Sequence, residues 1–217
     1  ITLTSAAGGS DISGIEMSNG KSIVVEDGIS WPVSLPVGTE SRVVMIASES
    51  DGFDITLGDV TANAGFDSVM GAYIFTGEHS EVRHEGEIVV ESSADSSSAR
   101  GASIVMGANA EATIDRVEAQ AGRVAIGVHF FTSNDGELTV TGDVVTRARD
   151  FDSSATGVGV RGQTNVSAAL GDIDVEGGSR AVGIDFNVTD NGILTHSGDV
   201  VVSARDAASA AYGVTLG

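Results

Sequence analysis

Apolar and polar residues alternate in short segments along most of this chain, and these segments recur at a nearly constant spacing. Each recurrence begins with a small or acidic residue, then a charged residue, then an aliphatic one. The aliphatic members are Val60, Ile88, Val117, Val144, Ile173 and Val200. After each of them the apolar side chains occupy alternate positions, which is the pattern of a β-strand with one buried face. The pattern therefore predicts a short strand at each recurrence.

A second series of strand-like segments begins with glycine followed by an aliphatic residue or alanine. Its glycines are Gly71, Gly101, Gly127, Gly157, Gly183 and Gly213. The gap from the aliphatic residue of the first series to the following glycine alternates between short and long, so that positions two repeats apart align at 56 residues. A third strand precedes the first series, as in Leu138-Thr139-Val140.

These spacings predict an all-β fold, a right-handed parallel β-helix or β-solenoid with about 28 residues per coil. Short and long coils alternate in a 56-residue super-repeat. Like residues then form interior columns, as expected for Ile74, Phe130 and Phe186 in alternate coils.

Residues 28–37 depart from the repeat, because Trp31, Pro32 and Pro36 interrupt the alternation. Proline has no N–H to donate and is excluded from central strands. We therefore expect an irregular loop near 28–37, within a single β-helix that spans residues 1–217. Strand-like segments stand at both ends, so we expect the solenoid to continue in a longer chain or to associate with itself end to end.

The composition suits a thin, layered interior and excludes several kinds of partner. Hydrophobic residues make up 41% of the 217 residues, but aromatic residues only 5%, and no cysteine is present for disulfides or thiolate metal sites. The formal net charge of -20 repels phosphate backbones, so we predict no nucleic-acid partner. No apolar stretch approaches the roughly 20 residues that a membrane-spanning helix needs, so we predict no membrane-spanning segment.

The repeated Gly-Asp-Val step, as in Gly142-Asp143-Val144, and the Ala-x-Gly-Val step, as in residues 125–128, resemble the passenger regions of bacterial autotransporters and related large repetitive surface proteins. The resemblance covers nearly the whole chain and lies in the style of the repeat. It implies an extracellular scaffold, adhesin-type stalk or filament component at the outer-membrane surface of a bacterium, without catalysis. A carbohydrate-binding adhesin or a tail-fibre-like module is the alternative, and a polysaccharide lyase or hydrolase is a further one.

Motifs associated with catalysis lack the context that their chemistry requires. Residues 157–162 read G-x-G-x-x-G, but a strand pattern follows where a dinucleotide site needs a helix. His79 and His84 are five residues apart, a spacing that does not place both imidazoles on one helical face for zinc. His84 and His196 align with Val140 at 56-residue steps, so we expect both at a semi-buried strand position. We predict that the chain is not an enzyme.

Acidic residues recur at one position of successive coils. They are Asp59, Glu87, Asp143, Asp172 and Asp199, and Arg116 interrupts the column. In stacked coils, neighbouring members would lie about 4.8 Å apart. Two interpretations stay open: a solvated row of turn residues, or a column that binds calcium through bridging carboxylate oxygens. Calcium is the one cofactor that the sequence suggests.

Aromatic residues stand at outward positions of the second series. These are Tyr73, Phe75, His129 and Phe131, and Asp185 and Asn187 continue their columns. We expect an exposed aromatic strip that could contact surface glycans or other cell-surface proteins, and cover by a neighbouring loop is the alternative.

Overall fold

A computed structural model describes residues 11–17, 22–25, 29–32, 40–47, 51–64 and 68–217. Within these ranges the chain forms twenty β-strands and no α-helix. Consequently, no helix in the described ranges could cross a membrane.

The strands lie on three faces, and each coil passes through the three in turn. The first face contains β2 (Ser22–Val25), β5 (Asp54–Leu57), β12 (Glu137–Val140), β15 (Ser167–Leu170), β18 (Ile193–His196) and the first halves of β8 (Glu81–Ser92) and β10 (Glu111–Ala121). The second face contains β3 (Ile29–Pro32), β6 (Val60–Ala64), β13 (Val144–Ala148), β16 (Ile173–Gly177), β19 (Val200–Ala204) and the second halves of β8 and β10. The third face contains β1 (Asp11–Met17), β4 (Glu40–Ala47), β7 (Ser68–Thr76), β9 (Ser98–Met106), β11 (Val124–Thr132), β14 (Ser154–Thr164), β17 (Arg180–Asp190) and β20 (Ala210–Leu216).

Strands of the same face pair in parallel with the coil before and the coil after. The third face is one sheet of eight strands in the order β1-β4-β7-β9-β11-β14-β17-β20. The first and second faces form one twelve-stranded sheet, because β8 and β10 run through the corner between them. The fold is a parallel β-solenoid, which confirms the all-β prediction.

The strand register confirms the alternation of short and long coils. On the third face Ala72 pairs with Ala102, Ala102 with Val128, and Val128 with Val158, which are steps of 30, 26 and 30 residues. Two consecutive steps add one 56-residue super-repeat. The strand before the first series, predicted at Leu138-Thr139-Val140, is β12.

The core is a set of apolar columns that run along the solenoid axis. One column on the third face consists of Ile74, Ile104, Phe130, Val160 and Phe186, each paired with the next and none more than 6% exposed. The placement of Ile74, Phe130 and Phe186 in alternate coils is therefore confirmed. Removal of these side chains from water is the main driving force for stacking.

The glycine series marks the place where the second and third faces approach most closely. A Cβ atom added to Gly127 would lie 2.5 Å from Cγ1 of Val144 and 2.6 Å from the carbonyl oxygen of Gly157. Similar contacts surround Gly101, Gly157 and Gly183. The glycines are thus required by the narrow interior.

The turns from the second to the third face give the physical reason for the super-repeat. A long turn, such as residues 148–153, occurs in every second coil, and a short turn such as 177–180 follows in the next. The Ser153 hydroxyl donates to the carbonyl of Ala148 at 3.0 Å and accepts the N–H of Gly178 at 2.8 Å. Ser97 accepts the N–H of Gly122 in the same way, at 2.9 Å, one super-repeat earlier. Each short turn is therefore held by the long turn before it.

The prediction of a loop near 28–37 is wrong for residues 29–32, which form β3. Ile29 pairs with Val60 and Pro32 with Asn63 of β6. Among the described residues β3 pairs with β6 alone, so it lies at a sheet edge, where a missing proline N–H breaks no ladder. Residues 33–37 of the predicted loop lie outside the described part of the chain.

Candidate functional site

The predicted aromatic strip lies on the outer side of the third face, in two adjacent columns. Tyr73 and His129 share one column, with Ser103 between them. Phe75 and Phe131 share the other, with Val105 between them. The register also places Asp185 in the first column and Asn187 in the second, as the 56-residue repeat predicts.

The strip is not uniformly exposed, which corrects the expectation from the sequence. Phe131 is 38% exposed, whereas Tyr73, Phe75 and His129 are half-buried. The guanidinium carbon of Arg42, on the preceding coil, lies 5.3 Å from the centre of the Tyr73 ring, a cation–π distance. A side chain of the next strand, rather than a loop, therefore covers this end of the strip.

His129 lies in a setting that favours its neutral form. Burial lowers the pKa of His129, and the nearby cations of Arg100 and Arg161 lower it further, while Asp185 opposes them. Its Nδ1 atom is buried and has no hydrogen-bond partner within the described ranges. His129 thus contributes a neutral, largely apolar ring to the strip.

The column of Phe75, Val105 and Phe131 lines a surface groove of about 470 Å³. The other lining residues are Asp51, Thr76, Gly77, Glu78, Met106, Gly107 and Ser133. The groove therefore has an apolar side formed by strands β7, β9 and β11 and a polar side formed by the turns that follow them. We name it the aromatic groove.

The polar side of the aromatic groove is built from stacked turns with left-handed backbone. One residue per coil has a positive φ, between 50° and 67°, and the series is Gly52, His79, Asn109, Asp135, Asn165 and Asn191. The N–H of Gly52 donates to Glu78 at 2.8 Å, and that of His79 donates to Ala108 at 2.9 Å. Asn and Asp tolerate this conformation better than other non-glycine residues. The Asn-Asp-Gly clusters in the sequence were the signal for these turns, although they did not predict the column.

Two carboxylates stand at the rim of the groove. Asp51 and Glu78 are both exposed, and Oδ1 of Asp51 accepts the backbone N–H of Glu78 at 3.0 Å. Neither carboxylate forms an ion pair with any residue of the described part. The remaining oxygens are available as hydrogen-bond acceptors beside an apolar floor.

The predicted acidic column is present at the corner between the first and second faces, and its acidic members are all exposed. Oδ1 of Asp59 accepts the backbone N–H of Glu87 at 2.9 Å, and Oδ1 of Asp172 accepts that of Asp199 at 2.6 Å. A Cβ atom at Gly198 would lie 2.1 Å from the Asp172 oxygen. The Gly-Asp step therefore has a structural role, since the glycine leaves room for the carboxylate of the previous coil.

Arg116 interrupts the acidic column and forms an ion pair with its neighbour. Its Nη1 lies 2.6 Å from Oε1 of Glu87, and the two residues pair in the strand register. In the part of the chain that the structure describes, no group of three or more His, Asp and Glu side chains could hold a metal ion. Calcium binding by Asp59, Glu87, Asp143, Asp172 and Asp199 stays a prediction.

His84 occupies an interior position of the first face and is more deeply buried than the sequence suggested. It pairs with Leu57 on one side and Ile114 on the other, and it is 3% exposed. Neither ring nitrogen has a hydrogen-bond partner among the described residues. Burial lowers the pKa of His84, and the Gly58 backbone and the carboxylates of Asp115 and Asp59 oppose this effect only in part. His84 is therefore a core residue and is not available to a ligand.

Comparison with known proteins gives no match. No protein-family model matches the chain, and no curated protein and no solved structure matches it.

Proposed function

We propose that this chain is a structural rod, serving as a scaffold or stalk outside a bacterial cell. The observation that carries the proposal is the unbroken parallel ladder of the third face, in which eight strands pair in series from β1 to β20. Every coil shares backbone hydrogen bonds and an apolar column with the next, so a pull along the axis is resisted by all three faces.

Composition and surface charge support the same role. A net charge of -20 keeps such rods apart and soluble, and the lack of cysteine removes the risk of wrong disulfides during export. The repeat style resembles that of autotransporter passenger regions, which display β-helices at the cell surface. A spacer needs length and stiffness rather than a catalytic centre, and the solenoid supplies both.

Immunogold electron microscopy on the native cells tests the location. Antibodies raised against this chain should label intact cells, and permeabilisation should not increase the labelling. Labelling that requires permeabilisation would contradict a surface role.

Insertion of extra 56-residue units into the native protein tests the spacer role. Each unit adds two coils, so electron cryotomography should show the distal end displaced outward by about 9.6 Å per unit. A distal end that stays at the same distance would overturn the proposal of a stalk.

A further inference from the structure

The aromatic groove presents two phenyl rings at a defined separation. Phe75 and Phe131 occupy the same column two coils apart, which corresponds to about 9.6 Å along the axis. Val105 lies between them and continues the apolar floor. This separation is close to the length of a disaccharide unit in an extended glycan. Aromatic rings offer favourable contact to the apolar C–H side of a pyranose ring.

The polar side of the groove matches the hydroxyl groups of the same kind of ligand. Asp51 and Glu78 lie on the rim without an ion-pair partner in the described ranges, and Ser133 adds a hydroxyl. Carboxylates accept strong hydrogen bonds from hydroxyl donors. A ligand with an apolar ring face and a hydroxylated edge would therefore satisfy both sides of the groove at once.

The charge of the groove distinguishes between classes of ligand. Two rim carboxylates in a chain of net charge -20 repel uronates, sialylated glycans and other polyanions. An extended basic peptide would need an acidic group at each step, but the lining next to Phe131 is neutral, with Gly107, Met106 and Ser133. The volume of about 470 Å³ is in the range of small-ligand sites and well below a protein interface.

We propose that the aromatic groove binds a neutral, extended glycan, with Phe75 and Phe131 contacting two sugar rings and Asp51 and Glu78 accepting hydrogen bonds from their hydroxyls. This site goes beyond the rod function, since a rod can carry it or lack it. In a displayed rod, the groove would attach the third face to a polysaccharide.

Isothermal titration calorimetry with a fixed panel of oligosaccharides tests the proposal. The panel contains the neutral hexasaccharides of β-1,4-glucan, β-1,3-glucan, β-1,4-mannan and β-1,4-xylan, a hyaluronan hexasaccharide, and an oligolysine peptide. At least one neutral hexasaccharide should bind, and Phe131→Ala should weaken it about tenfold. The matched control is Phe151→Ala, because Phe151 is 83% exposed and lies outside the groove. That variant should bind as the unchanged protein does.

A second variant tests the role of the rim. The double substitution Asp51→Asn and Glu78→Gln keeps carbonyl acceptors but removes two negative charges. It should retain binding of the neutral glycan within a few-fold and increase binding of the hyaluronan hexasaccharide. Thermal unfolding of each variant confirms that it is folded.

Three outcomes would overturn the glycan site. They are the absence of binding by all four neutral hexasaccharides, equal binding in the folded Phe131→Ala variant, and binding of oligolysine in preference to every sugar. None of these outcomes affects the rod proposal, because cell-surface labelling and displacement of the distal end are measured without any sugar.

Discussion

Arg205 reaches back across two coils, and its Nη2 donates a 2.6 Å hydrogen bond to the carbonyl oxygen of Ala148. Arg149 makes the same contact with the carbonyl of Ser92, one super-repeat earlier. Each arginine lies in a long turn and passes over the short turn of the coil between. The recurrence of these arginines at 56 residues therefore reflects a backbone contact that single coils cannot make.

Replacement of Arg149 by alanine should lower the free energy of unfolding by about 1–2 kcal/mol. The variant leaves the carbonyl of buried Ser92 without its charged donor, whereas the ion pair of Arg149 with Glu91, at 3.6 Å and partly exposed, adds little. Urea unfolding followed by circular dichroism measures the change. Arg123→Ala is the control, because Arg123 is exposed and should change stability by no more than about 0.5 kcal/mol. Equal effects of the two variants would contradict the role of the bridge.

Replacement of Gly127 by alanine should destabilise the chain by about 1–3 kcal/mol, because the added methyl group overlaps Val144 and the Gly157 carbonyl. Gly213 belongs to the same glycine column, but a Cβ atom there meets nothing within 4 Å. Gly213→Ala should therefore leave stability unchanged or raise it slightly. Differential scanning calorimetry of both variants gives the comparison. A similar loss in both would mean that backbone conformation, rather than space, selects glycine in this column.

His84→Leu should stabilise the chain and reduce its sensitivity to acid. In an unfolded chain the pKa of histidine is about 6.5, and burial lowers it in the native state. Above pH 6.5 the imidazole is neutral in both states and pH has little effect through this residue. As the pH falls below about 6.5, the unfolded state gains a proton that the native state does not. The free energy of unfolding then decreases by up to about 1.4 kcal/mol per pH unit, until the pH reaches the native pKa.

Urea unfolding at a series of pH values from neutral to mildly acidic measures this dependence. Leucine fits the column, since Leu57 precedes His84 there and Ile114 follows it. At neutral pH the variant should gain stability, because it removes two buried nitrogens without hydrogen-bond partners. His129, whose pKa is also lowered, leaves a residual slope in both proteins. Parallel curves for the two proteins would show that His84 is not the acid-sensitive group.

Asp172→Ala should cost about 1 kcal/mol, because the N–H of Asp199 loses its carboxylate acceptor in the previous coil. Asp172→Asn keeps a side-chain oxygen and should cost less. We expect the same result with added calcium and with EGTA, since the backbone contact needs no metal. A melting temperature that rises with calcium in the unchanged protein, and not in Asp172→Ala, would instead favour the calcium column.

The sequence was sufficient to predict the strands, their faces and their register, because a column residue recurs in each coil and alternation marks which side chains point inward. The position of Val144 relative to Ile173, for example, follows from the repeat alone and is confirmed by the pairing. The cause of the 56-residue period was not predictable. It lies in hydrogen bonds between turns, such as that from Gly178 to Ser153, and serine and glycine in a turn have many other uses.

The candidate site was predictable in position but not in exposure. The repeat placed Phe75 and Phe131 in one outward column, as the structure has them. Cover of Tyr73 by Arg42 depends on a side chain of the preceding coil, which periodicity does not describe. Similarly, Pro32 ruled out a central strand, but the position of β3 at the sheet edge removes that restriction.

The pairing of long and short turns also affects how a gene for such a protein can change in length. A duplication or loss of DNA that encodes two coils leaves every arginine bridge, serine contact and interior column with its proper partner. A change by one coil places two long or two short turns side by side, so that the contacts from Ser153 and Arg205 lose their targets. Natural length variants of this solenoid should therefore differ by whole multiples of two coils.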